Sequence, residues 1–212
     1  MAGKGGVPSQ GATAVALNVG ALSPTATGSL TIYPNGTSRP GTSALSFTSG
    51  QNTAAIAIAG LVNGKVSIYN GTAGTLNLTA DVVGYYSSGG AAFLPVGPTR
   101  ILDTRSGLGG SGQTVLSHAV AVTPVMNVPA LANADVTAVV LQVTVMSAQR
   151  SGTLTAFPDQ GRVPRAATFP FTAGHAVTSL VVVPIVNGNV DFYNNSSGTI
   201  QVAADLLGFY AR

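Results

Sequence analysis

The chain has no glutamate and no cysteine, so its acid, base and ligand chemistry rests on six aspartates, nine lysine and arginine residues and two histidines. Asp81 and Asp205 stand in the same local sequence, Ala-Asp followed two residues on by a hydrophobic residue and Gly, at 80–84 and 204–208. A carboxylate repeated in this way reads either as a ligand-binding group in each copy or as a structural one, in an ion pair or a hydrogen bond to a neighbouring loop. Simple alternation puts Val83, Tyr85, Leu207 and Phe209 on the face of these aspartates, and a partly covered carboxylate needs a partner. The structural reading is therefore favoured, with Arg100 or Arg105 as the partner of Asp205. Arg100, Asp103 and Arg105 could together hold an anion, but Asp103 and Arg105 lie two residues apart on one strand face and can satisfy each other. Glycoside hydrolysis needs two carboxylates with one tuned as an acid, whereas the repeated aspartates stand singly. His118 and His175 are far apart in sequence and have no histidine counterparts elsewhere in the chain. With no cysteine or glutamate beside them, neither a zinc site nor a Ser/His/Asp triad is supported. The glycine-rich stretch 107–112 lacks a following Lys-Ser/Thr and reads as a flexible turn rather than a phosphate loop. No catalytic residue, metal site or cofactor is assigned.

Aromatic rings offer a second chemistry. Tyr33, Tyr69, Tyr86, Phe157, Tyr193 and Tyr210 fall near expected strand ends, and Asn35, Asn70, Asn194 and Asn195 lie near several of them. Ring faces beside amides suit sugar hydroxyls, which makes Tyr33, Tyr69, Asn70, Tyr193 and Asn194 the candidate glycan-binding set. The chain has no tryptophan, and packing at sheet edges accounts for these tyrosines equally well. Arg150, Arg162 and Arg165 fall in expected loops where the other copy has Ala26, Ser38 and Gly41; they could meet an anionic wall polymer, though solvated arginines need no ligand.

The elements that position these residues come from a duplication. Residues 13–86 align with 137–210 without a gap, and about a third of the positions are identical. Thr13-Ala14-Val15-Ala16-Leu17 falls on Thr137-Ala138-Val139-Val140-Leu141, and Asn63-Gly64 on Asn187-Gly188. Within each copy the period is two: Leu76, Leu78, Ala80 and Val82 share one face, as do Ile200, Val202, Ala204 and Leu206. Residues 53–60 and 177–185 are largely apolar on both faces, which predicts a central strand covered on both sides. Asn-Gly suits a type I′ hairpin turn, where both central residues need positive φ. Six strands per copy are expected, near 13–20, 28–33, 43–48, 53–61, 65–70 and 75–84, and again 124 positions later.

Composition agrees. Only 7% of residues are charged, against roughly 25% in an average soluble domain, and the residues that fill exposed helix faces are scarce. The net charge of +3 is spread along the chain, without the dense basic stripe that nucleic acid requires. No apolar run approaches the roughly 20 residues of a membrane-spanning helix, so no membrane insertion is expected. The first ten residues do not form a signal peptide.

Residues 93–123 have no counterpart in the first copy. They contain Pro98-Thr99-Arg100-Ile101-Leu102-Asp103-Thr104-Arg105, the glycine-rich turn and an expected alternating strand over 114–122. Together with Ala80-Asp81-Val82-Val83-Gly84-Tyr85-Tyr86 and Ala204-Asp205-Leu206-Leu207-Gly208-Phe209-Tyr210, this opening motif resembles a tandem repeat family of secreted and surface proteins of actinobacteria and other soil bacteria. Units of that family run P-T-R-x-L-D-T-R, T-A-V-x-L-N-V, L-T-x-Y-P and A-D-V-x-G-Y-Y. The resemblance implies export, tandem arrangement and attachment to surfaces or secreted enzymes; it carries no catalytic residues. By that pattern the first copy begins mid-unit, at about Gly6. Its missing strands would come from a longer array, from segment 93–123, or from a neighbouring molecule.

The resulting expectation is an all-β chain of two tandem β-sandwich units, jelly-roll or immunoglobulin-like, with essentially no helix. The first spans residues 1–90 and lacks the opening motif; the second spans 91–212. The expected role is a non-enzymatic extracellular structural or adhesive module whose partner is itself, through an open sheet edge. A carbohydrate-binding module for surface polysaccharide and a phage tail or filament subunit are the alternatives.

Overall fold

The computed structural model of the protein describes residues 1–110, 114–132, 134–159 and 161–212. The chain is all-β and divides into two compact units, Met1–Gly90 and Ala91–Arg212. Among the described residues the only helical element is one 3-10 turn, Pro129–Leu131.

Unit 1 contains β1 (Ala12–Leu22), β2 (Gly28–Pro34), β3 (Leu45–Phe47), β4 (Thr53–Gly60), β5 (Val66–Asn70) and β6 (Asn77–Ser87). They form two antiparallel sheets with strand orders β4-β1-β6 and β3-β2-β5. Unit 2 contains β7 (Ala92–Asp103), β8 (Val120–Pro124), β9 (Val136–Met146), β10 (Gly152–Pro158), β11 (Phe169–Phe171), β12 (Val177–Pro184), β13 (Asn189–Asn194) and β14 (Gln201–Ala211). Its sheets run β12-β9-β14-β7 and β11-β10-β13-β8. Numbered one to eight within the unit, these orders are 6-3-8-1 and 5-4-7-2, the arrangement of an eight-stranded jelly roll. Unit 1 has the same arrangement without strands one and two.

Each core follows from the period of two. In unit 1, Val15, Leu17, Val19 and Ala21 of β1 point inward and meet Leu30, Leu45, Phe47 and Ala57. In unit 2 the equivalent stripe is Val139, Leu141, Val143 and Val145, each fully buried, facing Leu154, Phe169 and Phe192. The turns follow local chemistry. Asn63 and Gly64 have φ of 52° and 69°, and Asn187 and Gly188 of 52° and 75°, the positive pair that a type I′ turn demands.

The duplication reaches further back than its sequence signal. Ala2 N donates to Gly64 O, as Met126 N does to Gly188 O, and Val7 and Leu131, again 124 residues apart, are both buried. Unit 1 therefore matches unit 2 from its first residues rather than from about Gly6.

Three local expectations are corrected. β4 and β12, read as central strands, are edge strands; Ile58 is 60% and Leu180 43% exposed, because their second apolar face points outward and no layer covers it. The alternating strand over 114–122 is broken. Val115 makes a single bridge to Ile200, His118 has φ of 53° in a turn, and pairing with β13 starts only at Val120. The glycine-rich stretch is packed in its described part: Asp103 N donates to Leu108 O, and a Cβ on Gly109 would lie 1.7 Å from Ile101 O. Ser111 and Gly112, the end of that stretch, lie outside the described residues.

Candidate functional site

Segment 93–123 belongs to unit 2. β7 pairs with β14 and β8 with β13, so one segment covers the exposed flank of both sheets. The alternative in which it serves the first copy does not hold.

The charged residues of the opening motif are part of this closure. Arg100 lies opposite Asp205 in the β7/β14 register. Its Nε donates to Asp205 Oδ1 at 2.5 Å and its Nη2 to Asp205 Oδ2 at 3.1 Å, a two-pronged pair. Arg100 Nη1 also reaches Asp103 Oδ2 at 3.0 Å. Asp103 is held from its other side by Arg105, whose Nε and Nη2 donate at 2.9 and 2.7 Å and whose backbone N–H donates at 3.1 Å. Arg105 donation, then its charge and that of Arg100, hold the Asp103 carboxyl well below the usual carboxylate range, against the opposing effect of desolvation. The Arg100 guanidinium is raised, first by its hydrogen bonds to Asp205. With both arginines committed to carboxylates, the cluster acts as a clasp of β7 on β14 rather than an anion site. Thr104 extends it: its Oγ1 bonds Gln201 Oε1 and accepts from Val202 N at 2.9 Å.

Asp81 sits at the equivalent place on β6, half-buried, beside an open sheet edge. Among the described residues it has no ion-pair or side-chain hydrogen-bond partner. Its neighbours differ from the alternation read in the sequence. Val83 is the extra residue of a β-bulge, since Leu17 pairs with Val82 and Ala16 with Gly84. Tyr85 is thereby turned to the inward face opposite Val15, as Phe209 is opposite Val139. Tyr85 and Phe209, two of the apolar neighbours invoked for the aspartates, thus turn to the inward face instead.

The glycan set does not gather into one site. Asn194 is fully buried, its Nδ2 donating to Leu116 O at 3.0 Å and Gly198 O at 2.8 Å; a buried and engaged amide cannot meet a sugar, and this assignment is corrected. Asn70 is exposed and keeps only local bonds, its Nδ2 donating to Gly74 O at 3.0 Å and its Oδ1 accepting from Thr72 N at 3.2 Å. Tyr69 carries the Arg39 guanidinium 3.8 Å above its ring centre, so a cation takes one stacking face. Tyr33 is half-buried on the same outer sheet face as Tyr69. Tyr193 belongs to unit 2, half-buried with its hydroxyl 3.4 Å from His118 Nδ1. His175, Arg150, Arg162 and Arg165 are exposed.

The feature that sequence reasoning passed over is a difference between equivalent core positions. Leu78 is 47% exposed where Val202 is 0%, and Tyr85 is 44% exposed where Phe209 is 4%. Val66, Ile68 and Leu76 are only half-buried, while Val190, Phe192 and Ile200 are fully buried. The inward face of β5 and β6 therefore reaches solvent along one flank of unit 1. An apolar residue at a core position of an edge that lacks its neighbour strand was the available signal. No protein family, curated protein or solved structure matches the chain.

Proposed function

We propose that this protein is a non-enzymatic structural or adhesive module of the cell exterior, in which unit 2 is a finished sandwich and unit 1 is an assembling one. The observation that carries the reading is the exposure of Leu78 and Tyr85 at positions where unit 2 buries Val202 and Phe209. Burying apolar area is worth about 25 cal/mol per Å², and the flank adds two sheet edges, β5 and β6, with unpaired backbone groups. Such edges are templates for another chain. Low charge, at 7% of residues, leaves little electrostatic repulsion to oppose close approach. The extracellular setting follows from the resemblance to exported tandem repeats. A filament or tail subunit is the form this reading takes if the edges pair between copies. The polysaccharide alternative has lost Asn194 from its set and one ring face of Tyr69.

The test is the solution mass of this chain by size-exclusion chromatography with light scattering, from micromolar to millimolar. Growth of a discrete oligomer or polymer, reduced by Leu78→Ser and Tyr85→Ser, supports self-assembly through the flank. A monomer throughout removes self-assembly.

A further inference from the structure

Unit 1 keeps three residues whose counterparts in unit 2 receive segment 91–124. Asp205 takes the two-pronged bond from Arg100; Asp81 is identical and without such a partner among the described residues. Asn194 Nδ2 donates to the backbone carbonyl of Leu116 as well as to Gly198; Asn70 is identical, and its Nδ2 makes the equivalent of the second donation without the first. Gly208 lies under the Phe93 ring, where a Cβ would meet ring atoms at 2.5 and 2.6 Å, whereas a Cβ on Gly84 would meet nothing within 4 Å. The glycine in unit 1 is thus not required by anything packed on it. Carboxylate, amide and glycine together describe a receiving surface, and the half-buried Val66, Ile68 and Leu76 form its apolar floor.

Copies of this chain cannot satisfy one another with that segment. Each carries one 91–124 segment, already placed on its own unit 2, and two flanks that fit it. Exchanging segments between copies leaves the number of open flanks unchanged.

We propose that the flank of unit 1 binds a strand pair with the chemistry of residues 91–124, one that residues 1–212 do not themselves supply. This rests on the reading of unit 1 as an assembling element and names its partner. The unit 2 register fixes the donor. Arg100 lies opposite Asp205 and Leu102 opposite Ala204, so a donor arginine faces Asp81 and a leucine two residues later faces Ala80. An aromatic residue seven positions before the arginine, as Phe93 is before Arg100, covers Gly84. A second extended segment then runs along β5 and offers its carbonyls to Asn70. Main-chain pairing supplies affinity, and the arginine and the ring set the register.

The probe is a fluorescently labelled synthetic peptide of residues 91–124, titrated into the full chain by anisotropy. Saturable binding at one peptide per chain is expected. Gly84→Val leaves the melting of the chain unchanged, since the new side chain points into open space, yet weakens the peptide at least about tenfold by excluding the ring. Asp81→Asn and the peptide variant Arg100→Gln each weaken it about tenfold, and together no more than either alone, as for two halves of one contact. Absence of saturable binding overturns the proposal, and so does affinity that ignores Gly84→Val and Asp81→Asn. Affinity that responds to Asp205→Asn instead places the peptide on unit 2 and also overturns it. The light-scattering result is separate: an oligomer that binds no peptide keeps the assembly reading and rejects this donor, while a monomer that binds it keeps the donor and rejects self-assembly.

Discussion

The two units are built on one six-strand plan and differ by a single two-strand segment. In unit 2, β7 and β8 lie on the flank of β14 and β13, and the residues beneath are sealed: Val190, Phe192, Ile200 and Val202 are at 0% exposure. In unit 1 the same plan, down to its Asn-Gly turns and its bulge, leaves Leu78 and Tyr85 nearly half exposed. The comparison separates what makes the fold from what finishes it. The inward stripe of the central strand is complete in both units, Val15, Leu17 and Val19 being as buried as Val139, Leu141 and Val143. Local strand and turn chemistry with that stripe is enough for the six-strand frame. The first two strands add burial along one side only.

The largest effects therefore belong at paired positions on that side. Phe192→Ala empties a site buried on all sides and is expected to destabilise unit 2 by about 3–5 kcal/mol. Ile68→Ala, its counterpart, removes a side chain that is only half-buried and should cost about 1 kcal/mol. Because the units need not unfold together, the comparison is best read by hydrogen exchange at amides of each unit. Equal losses would break the contrast between a sealed and an open flank.

A smaller effect is expected at the clasp. Arg100→Gln removes the pair with Asp205 and one of the two cations on Asp103. With the Arg100 side chain 40% exposed, screening holds the loss to about 1 kcal/mol. Asp81→Asn, which breaks no such pair, should change the stability of the unliganded chain by less than about 0.5 kcal/mol. The clasp also gives unit 2 an acid sensitivity of its own. The folded Asp103 carboxyl titrates below its unfolded value, chiefly through Arg105. Its contribution is thus full above the ordinary carboxylate pKa of about 4 and is lost as pH falls through the lowered folded value. Asp103→Asn should flatten the acid limb of unit 2 and leave that of unit 1 unchanged, read by exchange or by melts from neutral pH downward.

Much of this plan is legible in the sequence, and the parts that are not fail for identifiable reasons. Alternation in Leu76, Leu78, Ala80 and Val82 places β6 correctly but gives no notice of the bulge at Val83, so Tyr85 falls on the wrong face; a bulge is fixed by pairing with β1, which period alone does not encode. The apolar residues of β4 and β12 mimic a central strand because hydrophobicity marks potential burial, not whether a covering layer exists. Asn194 reads as a surface amide because its counterpart Asn70 is one; burial comes from a segment some eighty residues earlier, whose carbonyl at Leu116 it meets. The clasp is legible in outline, since matched aspartates and a lone basic motif leave few partners; Arg100, of the two arginines open to Asp205, is the one that takes it. That the first copy lacks two strands is legible in the sequence, but the core positions this leaves exposed show only when the two copies are compared position by position.

A last contrast lies at a position where the units have diverged. Asp191 of β13 replaces Ser67 of β5. Ser67 is half-buried with its hydroxyl donating to Asn35 Oδ1 at 3.3 Å. Asp191 is 6% exposed, and its Oδ1 has no hydrogen-bond partner among the described residues. Burial, and then the charge of Asp159, raises its pKa. The Asp159 carboxylate is itself engaged, accepting from Asn189 Nδ2 at 3.0 Å. A raised folded pKa means that the carboxyl favours the fold most below its unfolded pKa, and that this advantage is lost as pH rises through the folded value. At neutral pH the charged form thus opposes burial. Asp191→Asn, nearly isosteric and neutral, should stabilise unit 2 by up to about 1 kcal/mol at pH 7, with the gain vanishing toward pH 4. A gain of the same size at both pH values would show that packing rather than charge distinguishes Asp191 from Ser67.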